Sequence, residues 1–114
     1  MVKVSQLLKG VTATQLISAS LAFMKTTRAR KSFIASGITT AGAGSATVLV
    51  EATNDISAAD PGWITVATLS LTLATTKAAG TQAGYATDAA YEAFRMRVTA
   101  ITGTGAAVDG LAAN

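Results

Sequence analysis

The chain has 114 residues, nine basic and six acidic side chains, a net charge of +3, and neither histidine nor cysteine. That composition excludes a disulfide framework, a thiolate metal site and the usual acid/base group of neutral pH. It also speaks against nucleic-acid binding, which calls for a dense basic footprint interleaved with stacking aromatics. The length suits one domain, and a chain of this size hides roughly 65% of its unfolded surface. Alanine supplies 25 residues, whereas Leu, Ile, Val and Phe together supply 26 of 114. The core is therefore thin, and a thin core gains from packing against other copies or partners. Eighteen threonines and a single proline point to ordered β structure.

Residues 1–10 carry Val2, Val4, Leu7 and Leu8 together with Lys3 and Lys9, and Gly10 closes the segment. An apolar terminus is either an arm docked on a neighbour or an added edge strand. The lysines ahead of Leu16, Ile17 and Leu21 imitate a signal peptide, but Thr12, Thr14, Gln15, Ser18 and Ser20 break the apolar run. No stretch is continuous enough to span a membrane as a helix. The division predicted is an arm over 1–10 and one β-sandwich domain over 11–114.

Loose alternation over Val11 to Lys25 predicts a first strand with Leu21 and Phe23 on one face and Ala22 and Met24 on the other. The basic cluster Lys25, Arg28, Arg30 and Lys31 surrounds a Thr26-Thr27 turn. It is a solvated hairpin or a patch that steers the protein to an acidic partner surface. A strand over Lys31 to Ile38 follows, then a loop marked by Gly37 and Gly42-Ala43-Gly44. That glycine stretch has no Gly-Lys-Ser/Thr after it and leads into a strand, which excludes a phosphate loop.

Ala46 to Asn54 alternates cleanly: Ala46, Val48, Val50 and Ala52 face one way, Thr47, Glu51 and Thr53 the other. Asp60-Pro61-Gly62 predicts a type II turn. A second strand, Trp63 to Leu73, completes a central hairpin. Asp55 and Asp60 flank one loop as a calcium pair would, but carboxylates are too few there, and Asn54 and Asp60 read as turn formers. Trp63 reads as a cap on the core end, with sugar stacking or an interface as the alternative. Thr75 to Thr87 is expected to be loop, anchored by Tyr85. After a short turn up to Glu92, Phe94, Met96 and Val98 alternate with Arg95, Arg97 and Thr99 in a strand from Ala93 to Ile101. Arg95 and Arg97 would then extend the basic patch. A last short strand is expected near Ala106 to Leu111.

No pair of carboxylates among Glu51, Asp55, Asp60, Asp88, Glu92 and Asp109 is placed for shared acid/base work, and the serines and threonines lack an activating base. The expectation is a protein that is not an enzyme and takes no cofactor. The fold class expected is all-β, an antiparallel β-sandwich of jelly-roll or immunoglobulin-like type.

Three runs carry a family resemblance: VLVEATND from Val48 to Asp55, GWITVATLSL from Gly62 to Leu71, and FRMRVTAITGTGAAV from Phe94 to Val108. Over roughly residues 33 to 110 the chain resembles small virion proteins of tailed bacteriophages, of the capsid decoration (cement) and head–tail accessory kind. The loop Ile56-Ser57-Ala58-Ala59 is longer than the tight turn of that pattern. The resemblance implies a β-sandwich without catalytic activity, located on the virion as a homo-oligomer, dimer or trimer. Its partner would be the major capsid protein or other virion proteins, with no nucleic acid or membrane. Tail, neck or fibre components and carbohydrate-binding modules are the alternatives. Val2, Val4, Leu7, Leu8, Lys25, Arg28, Arg30 and Lys31 are the expected contacts.

Overall fold

The strands that alternate most cleanly in sequence also form the middle of the fold. In the structure, a computed structural model that describes residues 4–25 and 30–114, β4 (Ala41–Thr53) and β5 (Ile64–Leu73) pair antiparallel from Gly44↔Leu73 to Ala52↔Ile64. The remaining strands are β1 (Val4–Val11), β2 (Phe23–Lys25), β3 (Lys31–Ile38), β6 (Ala83–Thr87), β7 (Ala93–Thr104) and β8 (Ala107–Ala113).

Pairing runs outward from the β4–β5 turn: β3 with β6, β2 with β7, β1 with β8. That is one long hairpin of the whole chain. Rolling it up adds the pairs β3–β8 and β4–β7, which gives two four-stranded antiparallel sheets ordered β1-β8-β3-β6 and β2-β7-β4-β5. A rolled hairpin of eight strands in two sheets is the jelly roll. The molecule measures 40 × 31 × 18 Å, and the short axis is the thickness of two sheets with their side chains.

Period-two alternation sends Phe33 and Ala35 of β3, Val48 and Val50 of β4, Phe94, Met96 and Val98 of β7, and Val108 of β8 into the space between the sheets. Each large side chain buried there contributes about 1.5–3 kcal/mol. Phe33 and Phe94 meet with ring centroids 5.4 Å apart, and Tyr85 and Tyr91 pack on them at one end of the core. Leu7, Leu8 and Met24 complete it from the edge strands.

Several local expectations are corrected. Residues 12–22 form a loop and not a strand, because their alternation is too weak in apolar residues; three residues, Phe23 to Lys25, pair with β7. The glycine stretch is not loop: β4 already begins at Ala41, and Gly42 bulges from it at φ 69° while Thr39 and Thr40 make the turn. The expected Asp60-Pro61-Gly62 type II turn is absent, since Gly62 lacks the positive φ that its third position requires. The chain reverses instead at Asp55–Ala58, where Ala58 N–H donates to Asp55 O at 3.2 Å. Ala83 to Thr87, expected as loop, is β6: its Ala and Gly have low strand propensity, and the open edge of β3 decides the conformation. The β7–β8 hairpin turns at Gly105, whose φ of 63° is open to glycine at little cost.

Candidate functional site: a loop pinned over a buried ion cluster

The antiparallel register sets Glu51 of β4 opposite Arg95 of β7 and Leu49 opposite Arg97. All three charged side chains leave the sheet on its outer face. Arg95 Nε donates to Glu51 Oε1 at 2.8 Å, and Arg97 donates to Glu51 Oε2 through Nη2 at 2.9 Å and Nε at 3.1 Å. An exposed position would leave these groups in water. Here Glu51 is 1% exposed and Arg95 2%.

Residues 15–19 are what covers them. Arg95 donates through Nη2 to Ile17 O at 2.8 Å and through Nη1 to Ala19 O at 3.1 Å, while Arg97 Nη1 donates to Gln15 O at 3.0 Å. Gln15 adds two ties to β7: its N–H donates to Val98 O at 2.8 Å and its Oε1 accepts from Val98 N–H at 3.0 Å. From the other side the Trp63 ring stacks over the Arg95 guanidinium, 4.3 Å from ring centroid to Cζ. The two arginines thus use one edge of the guanidinium for Glu51 and another for loop carbonyls. Among the described residues no buried side-chain nitrogen or oxygen is without a hydrogen-bond partner.

A loop held this firmly presents apolar side chains to solvent. Leu16 is 74% exposed, Ile17 56% and Phe23 44%, and Ile64 beside Trp63 is 49% exposed. Between this loop and residues 56–63 lies a cleft of about 270 Å³, lined by Ile17, Leu21, Phe23, Pro61, Trp63 and Arg95, with Asp60 beside them. The chemistry on offer is an apolar contact with oriented backbone. Arg95 has its donors engaged, and Asp60 is the one carboxylate in the lining.

The residues expected to meet a partner are dispersed. Val2 and Arg28 lie outside the described residues. Val4 is exposed at the start of β1, which pairs with β8 as an edge strand of the sandwich. Leu7 and Leu8 turn into this chain's own core, 6% and 2% exposed, and so are not free to contact a neighbour. Lys25 and Arg30 are exposed at the end of β2 and just before β3. Lys31 is withdrawn from the basic patch because it shares the inward parity of Phe33. It is 1% exposed, its ammonium donates to Ala89 O, and it stands 5.3 Å from the Phe94 ring centroid. Burial pushes its pKa below the ordinary lysine value, with Asp88 pulling partly the other way.

Arg95 and Arg97 do not extend the basic patch either, since both face Glu51. Trp63 rests on Arg95, not on the end of the core. Leu16 and Ile17 escape a reading of sequence as a contact surface because loop apolar residues carry no periodic signal, whereas Phe23 lies on a strand as expected. Two arginines of like parity on one strand and a lone acid on another were the visible sign. The register that joins them was not. No family model, no curated protein and no solved structure matches this chain, so the pinned loop and its cleft are the ground on which function is argued.

Proposed function

We propose that the protein is a non-catalytic structural component of a tailed-phage virion, a decoration (cement) protein that docks on the assembled head and stabilises it by bridging adjacent subunits. The observation that carries this reading is the exposed apolar trio of Leu16 and Ile17, on a loop that buried arginines hold in place, and Phe23 at the start of β2. Large exposed apolar groups on ordered backbone favour docking, because no ordering entropy is lost on contact. The jelly roll, which recurs in viral capsid and lectin domains, supports the reading by analogy of fold. Sparse surface charge supports it too: 13% of the residues are charged against a usual figure of about 25%.

Binding the assembled shell and not its free subunits shifts assembly by mass action, so many modest contacts reinforce a shell together. A glycan-binding role gains less support. Tyr85 and Tyr91 turn onto Phe33 and Phe94, and the Trp63 ring lies on the Arg95 guanidinium, which leaves Phe23 as the other ring in the cleft lining. The test is co-sedimentation of the purified protein with empty expanded heads and with isolated tails of the phage that encodes it. Capture by heads alone is the expected result; capture by tails alone, or by neither, overturns it.

A further inference from the structure

β5 is the edge strand of its sheet, ten residues long and without charge or proline. Proteins blunt exposed edges with charge, proline, bulges or shortness. The other three edges of this sandwich show such devices. β1 carries Lys9 and two register shifts, β2 has three residues and includes Lys25, and β6 has five. β5 alone of these edges is both long and uncharged, and its one register shift, at Val66, leaves the stretch from Ala67 to Leu73 regular.

Hydrogen bonding at its end shows which groups it offers. Thr72 N–H donates to Thr81 Oγ1 at 2.9 Å, and Thr72 O accepts from Thr81 N–H at 2.9 Å, so the Thr72 backbone points away from β4. The partner residue on β4 agrees: Ser45 N–H turns from β5 and donates to Thr102 Oγ1 on β7. In an antiparallel ladder alternate residues bond the same side. The register is unbroken from Leu73 to Ala67, so Ser70 and Thr68 aim their N–H and C=O groups outward as well. Thr81 bonds the edge at Thr72; among the described residues no such bond meets it at Ser70 or Thr68.

We infer that this edge pairs with the same edge of a second copy of the chain, antiparallel about a two-fold axis, joining two four-stranded sheets into one of eight. Charge selects the occupant. From Pro61 to Thr76 there is no charged residue, so self-pairing sets no like charges opposite one another. Asp60 lies four residues before the strand, and Lys77, half exposed and 3.5 Å from Asp109 of its own chain, four after it. Antiparallel two-fold pairing brings the Asp60 end of each copy toward the Lys77 end of the other. β5 lies at the opposite edge of the sheet from β2, and Asp60, just before β5, also lines the cleft beside the surface proposed for docking on a head.

Sedimentation velocity over a range of concentration tests it, with circular dichroism as the check of fold. The wild type sediments as a dimer. Ser70→Pro removes an outward N–H without touching the β4 ladder, and Thr68→Lys sets two like charges near the axis. Each weakens dimerisation by about tenfold or more. Ala86→Lys, on the exposed face of β6, leaves the dimer intact. Hydrogen exchange at the Thr68 and Ser70 amides slows as concentration rises. A monomeric wild type, or a dimer of unchanged affinity in Thr68→Lys and in a folded Ser70→Pro, overturns the inference.

Discussion

Glu51 and Arg95 stand opposite each other on β4 and β7, joined by a 2.8 Å hydrogen bond and both all but sealed from water. Taking two charges out of water costs several kcal/mol per ion, and mutual attraction repays this only when geometry and further hydrogen bonds are good. Here Arg97 and the carbonyls of Gln15, Ile17 and Ala19 supply those bonds. The pair's contribution lies less in net stability than in tying an otherwise irregular segment to the sheet.

Removing the acid leaves two guanidinium groups close together without a counter-charge. Glu51→Ala is therefore expected to cost about 3–5 kcal/mol of unfolding free energy. Urea denaturation measures this. Hydrogen exchange in the same variant is expected to rise first at Gln15 and Val98, whose amides tie the loop to β7.

Trp63 touches the same cluster from outside, so its loss is milder. Trp63→Ala is expected to cost about 0.5–2 kcal/mol through the cation–π contact, less than Glu51→Ala in the same denaturation assay.

Lys31 gives a pH signature. Burial lowers its pKa in the folded chain below the ordinary 10.5, with Asp88 opposing in part. Between the folded value and 10.5 the unfolded chain holds more protons, so stability rises with pH across that window. Below the window the penalty is fully present and constant. Lys31→Met is expected to abolish this rise, read as the change in urea midpoint between neutral pH and pH near 10.5 in variant and wild type.

Gly105 turns the β7–β8 hairpin at φ 63°, and a Cβ there would press on the Thr40 side chain. Gly105→Ala is expected to lower stability by about 1–2 kcal/mol from the left-handed backbone. A thermal melt with an unchanged transition would contradict that assignment.

Alternation made much of this fold legible. Ala46, Val48, Val50 and Ala52 on one strand and Phe94, Met96 and Val98 on another are inward as their spacing implies, and β3 spans Lys31–Ile38 as expected. β6 was hidden because Ala83-Gly84-Tyr85-Ala86 has little strand propensity of its own and takes its conformation from β3. The choice of jelly roll over immunoglobulin-like order rests on pairs such as β1–β8, more than 90 residues apart in sequence, which no local pattern encodes. Glu51 illustrates the same limit at the site. Its outward parity is right, yet its burial depends on Ile17 and Ala19, placed there by Arg95.

The pinned loop is proposed to dock through its exposed apolar side chains. Ile17→Asp changes one such side chain while its carbonyl, the acceptor for Arg95, stays in place. Measured by co-sedimentation with expanded heads, its capture is expected to fall about tenfold or more below that of the wild type at an unchanged urea midpoint, as for a buried charge at an apolar contact. Equal capture of the folded variant and the wild type would contradict the account.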